Sequence, residues 1–201
     1  RFEKLLAVAH QVKVRHGWGK EAVWAPSALP ILIRVAGDSG RRISAILALR
    51  WSDWLPTEGT NGKLRWRAAS DKSGKDWVVP VSPAVETDLS LELERRGTDV
   101  DPDGLIFPSP NDVAKALSLP VVTGWLRQAE KLADLEPMDR GAWHPFRRMW
   151  ACQRKHLPAK DVAAAGGWRD VGVLQSVYEA ADQETLEAVV TGGRRVKGIL
   201  R

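Results

Sequence analysis

The sequence predicts a mainly helical domain of the α+β class with one small antiparallel sheet. Three observations lead there. Apolar residues recur at helical spacing along most of the 201 residues. The period switches to alternation where Leu64, Trp66 and Ala68 interleave with Lys63, Arg65 and Arg67. A polar turn from Asp71 to Lys75, containing Gly74, then joins this stretch to Trp77-Val78-Val79, which completes a hairpin.

The elements follow in order. Phe2, Leu5, Leu6 and the run Val8 to Val12 predict an opening helix that ends near Gly17 to Gly19. A second helix starts after Pro26-Ser27, carries Leu29, Ile31, Leu32 and Val35, and breaks at Asp38-Ser39-Gly40. A third carries Ile43, Ile46, Leu47 and Leu49. After the hairpin, Ser82-Pro83 supplies a cap and first turn, with Glu86 at capping-box spacing, for a helix that ends near Arg95-Arg96-Gly97. Residues 97–111 read as a loop around a short apolar Leu105-Ile106-Phe107. Helices are expected at 119–135, 145–156, 158–165, 171–180 and 183–190. The organisation expected is a single domain over 1–201, with a core of about 25–190 and a basic tail at 191–201.

Composition narrows the function classes. No stretch approaches ~20 consecutive apolar residues, so no spanning helix is expected. Cys152 stands alone, which rules out an internal disulfide and fits a reducing cytoplasm. Thirty Lys and Arg against twenty-five Asp and Glu give a net charge of +5, a weak pointer to a polyanion. Ten tryptophans are unusual, and most are expected in the core. His10, His16, His144 and His156 form no metal-ligating pattern, and no nucleotide-binding glycine loop is evident, so no metal or cofactor is implied.

Several basic groups stand where an anion could be held. Arg41-Arg42 opens the third helix after a glycine, where guanidinium groups and free backbone N–H groups face an anion together. Lys72 and Lys75 sit in the hairpin turn. His144 and Arg147 lie three residues apart and so share one helix face. Gly167-Trp168 precedes Tyr178, the one tyrosine of the chain. Taken singly, each reads most simply as a solvated surface cation, a capping histidine or a packed aromatic ring.

Their order along the chain resembles one family. Gly40-Arg41-Arg42-Ile43-Ser44-Ala45-Ile46-Leu47-Ala48-Leu49-Arg50-Trp51 resembles the first motif of the tyrosine site-specific recombinases, the phage-integrase family, and places its first catalytic arginine at Arg42. Lys72 matches the hairpin lysine, His144-Pro145-Phe146-Arg147 the His-x-x-Arg motif, and Gly167-Trp168 the Gly-His segment, where some members carry Trp. Tyr178 falls at the nucleophile. The likeness covers about residues 25–190. Ala45 stands where the family usually has an acid, Arg148 where it often has His, and the spacing from Trp168 to Tyr178 is one residue longer than the commonest.

The resemblance implies the integrase catalytic-domain fold, without the family's N-terminal DNA-clamping domain. It also implies strand cleavage and rejoining through a 3′-phosphotyrosine, without metal or ATP. Tyr178 would attack. Arg42 and Arg147 would bind the non-bridging oxygens, Lys72 would act as general acid, His144 as general base, and Trp168 would pack beside the phosphate. Arg41, Lys75, Arg148 and the basic tail are expected to contact the DNA backbone. The partners implied are double-stranded attachment sites and further copies of the chain, as a tetramer on DNA, in a bacterial or phage setting. A binding-only relative and a type IB topoisomerase-like enzyme are the alternatives.

Overall fold

A computed structural model of the chain describes residues 1–16, 23–56, 61–70, 74–97, 99–138, 141–178 and 183–191. Helix α2 (Leu29–Ser39) runs through the middle of the core, with Leu29, Leu32, Ile33 and Val35 fully buried. It forms there because its apolar residues surround the helix, and it stops because Gly40 takes the left-handed conformation (φ 63°). Around it pack α1 (Phe2–Ala9), α3 (Ile43–Leu47), α4 (Pro83–Arg96), α5 (Leu119–Leu132) and α6 (His144–Cys152). Helices α7 (Ala159–Gly166) and α8 (Val171–Tyr178) form a smaller second cluster against α6, built on Trp150, Val162, Trp168 and Leu174. Helix α9 (Gln183–Thr191) follows. No helix among the described residues is long and apolar enough to cross a membrane.

The expected hairpin is present as β4 (Lys63–Trp66) and β5 (Trp77–Pro80), antiparallel with Leu64 opposite Val79 and Trp66 opposite Trp77. A third strand, β3 (Trp54–Leu55), pairs with β4. Alternation sends Leu64 and Trp66 into the core and leaves Lys63 exposed.

Two further hairpins depart from the sequence reading. The opening helix does not continue to the glycines. It ends at Ala9, and β1 (Lys13–His16) pairs with β2 (Val23–Pro26). The Lys13-Val14-Arg15 alternation and the β-prone Val23-Trp24 pair carry that pairing, but the preceding apolar residues Val8, Ala9 and Val12 mask the change of period. The loop at 97–111 also contains structure, because β6 (Pro108–Ser109) pairs with β7 (Asp112–Ala116). Its apolar core is pinned from two sides. Leu49 accepts the Ile106 N–H at 2.9 Å, and Arg96 donates to the carbonyls of Leu105 and Ile106.

Helix ends carry their own reasons. Ser82 caps α4, its hydroxyl accepting the Val85 N–H at 3.2 Å. Glu86 is turned away from that cap and accepts the Trp54 indole N–H at 2.8 Å. Helix α5 stops at Leu132, ahead of the expected 135, where Asp134 takes a positive φ of 52° and Leu135 N–H returns to Glu130 O. Helix α6 likewise stops at Cys152, before the expected 156, and tight turns lead from it to Pro158.

Glu130 is 1% exposed and ties the chain start to α5. Its carboxylate accepts from Arg1 at 2.9 Å, Arg127 at 2.6 Å and the Met138 N–H at 3.3 Å. Replacing a buried, multiply bonded carboxylate leaves its donors without an acceptor. Glu130→Ala is therefore expected to lower stability by about 2–4 kcal/mol, read as a lower urea midpoint at unchanged m.

Candidate active site

The site forms where the C-terminus of α7 meets the end of α2 and the start of α6. A helix leaves its last four carbonyls without helical partners. Here Gly167, in the left-handed conformation (φ 73°), turns the chain so that Trp168 N–H bonds Ala163 O at 2.8 Å and Gly167 N–H bonds Ala164 O at 3.3 Å. Arginines take the carbonyls that follow. Arg41 donates through Nη2 to Ala164 O at 2.9 Å and through Nε to Ala165 O at 2.8 Å. Arg147 donates through Nη1 to Gly166 O and Gly40 O, and through Nη2 to Gly167 O at 3.4 Å. Arg42 donates to Gly167 O, also at 3.4 Å.

Aromatic packing fixes Arg147 from the other side. Its guanidinium carbon lies 3.4 Å from the Trp168 ring centroid. Trp168 stacks on Trp150 at 5.9 Å and 17°. Arg154 closes the column, 4.4 Å from the Trp150 ring, and the Trp150 indole N–H donates to Asp38 O at 2.8 Å. Arg147, Trp150 and Arg154 share one face of α6 and its following turn, as their spacing requires. Trp168 is thus core packing and a wall of the site at once.

His144 starts α6 one turn before Arg147. Partial burial and the cations Arg147, Arg148 and Arg42 push its pKa below the ordinary histidine value of 6.5. The ring therefore stays neutral, and able to accept a proton, to lower pH than a free histidine.

The sequence matches the Phage integrase family over residues 7–185. The chain belongs to the phage integrase family. Solved structures agree on the fold of this integrase-family chain. It resembles the XerA recombinase crystal structure with TM-score 0.67 at 18% identity, covering 96% of this chain and 61% of that one. It resembles XerH site-specific recombinase bound to palindromic difH substrate, a post-cleavage complex, with TM-score 0.68 at 21% identity, covering 94% and 50%. It resembles a lambda integrase (75-356) dimer bound to a COC' core site with TM-score 0.62 at 17% identity, covering 90% and 58%. The chain spans about half to three fifths of the length of these structures. No curated protein sequence matches it.

Of the expected site residues, the integrase fold brings Arg42, His144, Arg147 and Trp168 to one place. Tyr178 closes α8, which packs on α6 and α7; its side chain lies outside the described residues, as does the whole of Lys72. Arg148 and Lys75 are exposed. Arg41 is a correction. It is 2% exposed, its fork bonded to α7 and its guanidinium 5.1 Å from the Trp66 ring, so it is not the exposed cation that a backbone contact calls for. Sequence reasoning also missed Trp150, Arg154 and the α7 carbonyls. The spacing of Arg147, Trp150 and Arg154 on one face was the available signal for the first two.

Two outcomes follow from this geometry. The nuclear magnetic resonance titration midpoint of His144 is expected below 6.5, and Arg148→Gln is expected to raise it by removing one repelling charge. Because the folded-state pKa is depressed, the associated stability is present above the unfolded value and is lost as pH falls through the folded one. Gly166→Ala would put a Cβ 1.9 Å from the Trp168 ring and 2.9 Å from the Trp150 ring. It is expected to cost about 1–3 kcal/mol in urea unfolding, and an unchanged midpoint would contradict the tight column described above.

Proposed function

We propose that this domain cuts and rejoins DNA strands at specific sites, with Tyr178 as nucleophile. The observation that carries this is the convergence of Arg147, Arg42, Trp168 and a largely neutral His144 at the end of α7, with α8 leading from that site to Tyr178. Family membership gives it independent support.

A phosphodiester has two non-bridging oxygens whose charge grows as the attacking oxygen approaches. Arg42 and Arg147 hold forked donors for them. A phenol of ordinary acidity, with a pKa of about 10, is a poor nucleophile until its proton is removed, so Tyr178 needs a base. Neutral His144 accepts that proton. The tyrosine oxygen bonds to phosphorus, the bond to the 5′-oxygen breaks, and Lys72 donates a proton to the leaving oxygen. The 3′-phosphotyrosine conserves the bond energy, so a second 5′-hydroxyl reverses the step without ATP. Arg148, Lys75 and the basic residues of 191–201 bind the flanking backbone, which makes binding salt-dependent.

Double-stranded attachment sites are the partner, with further copies of the chain assembled on them. Helix α9 exposes Leu186, Val189 and Val190, the last two at 73% and 82%, an apolar face suited to a neighbouring copy. Among the other structures of similar fold is the Tn1549 transposon integrase with transposon right end DNA, which suits a mobile-element setting.

The deciding assay uses nicked duplex suicide substrates drawn from DNA flanking the gene, resolved on a denaturing gel. A covalent protein–DNA adduct is expected that disappears in Tyr178→Phe. Arg147→Lys is expected to slow its formation by about 10²–10³-fold. An adduct that persists in Tyr178→Phe would remove the assigned nucleophile. Salt-sensitive binding without any adduct would point to a binding-only protein, and relaxation of supercoiled plasmid without a specific site to a topoisomerase.

A further inference from the structure

Arg41 is a buried cation with a job other than holding phosphate. Burial of a guanidinium costs several kcal/mol before its partners offset it, so an apolar side chain would serve mere packing at lower cost. The partners are specific. Two donors of one fork meet two consecutive carbonyls, Ala164 O and Ala165 O, in the last turn of α7. The guanidinium also lies over Trp66, on strand β4 of the β4–β5 hairpin. One side chain therefore joins the start of α3, the sheet and the end of α7.

The next two carbonyls along the chain, of Gly166 and Gly167, are those to which Arg147 and Arg42 donate. Arg42 has extended dihedrals (φ −68°, ψ 143°) just before α3. Extended backbone sends successive side chains to opposite sides. Arg41 is thereby directed into the α7 anchor and Arg42 toward the phosphate site. The residue is buried, yet it holds the peptide units next to those against which Arg42 and Arg147 are set.

We propose that Arg41 is a positioning residue for strand cleavage, acting through the last turn of α7 on Arg147, Arg42 and Trp168. This rests on the recombinase reading above. Its signature is a loss in the chemical step without a loss in DNA binding.

The test compares the wild-type 201-residue chain, Arg41→Leu and Arg41→Lys on the same nicked duplex under single-turnover conditions, across protein and salt concentrations. Arg41→Leu is expected to lower the maximal rate of adduct formation by about 10–100-fold, the scale of a small misplacement of reacting groups. The half-saturating protein concentration is expected to stay within about twofold and the salt slope unchanged, since no phosphate contact is lost. Arg41→Lys, which keeps the charge and some of the donors, is expected to recover part of the rate. A wild-type maximal rate in Arg41→Leu overturns the proposal. So does a binding loss equal to the rate loss with a shallower salt slope, which would make Arg41 a direct DNA contact. Amide hydrogen exchange of residues 163–170 in Arg41→Lys tests the anchor without activity or DNA. Faster exchange confined to that segment supports it, and unchanged exchange overturns it. If the wild-type chain forms no adduct, the recombinase reading fails, and the exchange result still decides whether Arg41 holds the end of α7.

Discussion

The structure turns on how the exposed end of one short helix is satisfied. The carbonyls of Ala165 through Gly167 have no partner within α7, Ala164 O has only the Gly167 N–H at 3.3 Å, and a buried carbonyl without a donor is costly. Arg41, Arg42 and Arg147 come from two other elements to supply those donors. The same bonds that close the helix also fasten the smaller α6–α7–α8 cluster to the larger core. Folding and site assembly are therefore one event in this region. The negative end of the α7 dipole further offsets the cations gathered there.

The aromatic column gives this junction its depth. Trp168 and Trp150 lie between Arg147 and Arg154, so each indole face meets either a cation or another ring. Glycines at 40 and 166 permit it: a Cβ at either position would stand within 2.4 Å of a tryptophan ring atom. Close approach of backbone to ring brings the carbonyls within reach of Arg147. Small residues and large ones thus act as a matched set.

The fold class was legible because the long helices state their period plainly, from α2 with its buried apolar run to α4 with its Ser82 cap. The β4–β5 hairpin was legible from alternation broken by a polar turn. The β1–β2 hairpin was not. Its strands are four residues each and follow apolar residues that fit a helix equally well. At the site, the order of Arg42, His144, Arg147, Trp168 and Tyr178 could be read as a motif, and the first four of these do gather. The role of Arg41 could not be read. Adjacent arginines look alike in sequence, and which one turns inward depends on backbone dihedrals and on a carbonyl more than a hundred residues away. Glu86 misled for a similar reason, since a distant indole competed with the local cap and won.

The unequal lengths of these bonds carry one more consequence. Arg41 holds its carbonyls at 2.8 and 2.9 Å, whereas Arg42 and the second arm of Arg147 reach Gly167 O only at 3.4 Å. The short bonds belong to the framework and the long ones are exchangeable. Peptide oxygens act here as an internal solvent, keeping concentrated positive charge tolerable. On the proposed reading, an arriving phosphate oxygen would trade places with the Gly167 carbonyl, and the guanidinium would change acceptor without first being stripped bare. Ligand exchange of this kind needs little rearrangement of charge at the moment of binding.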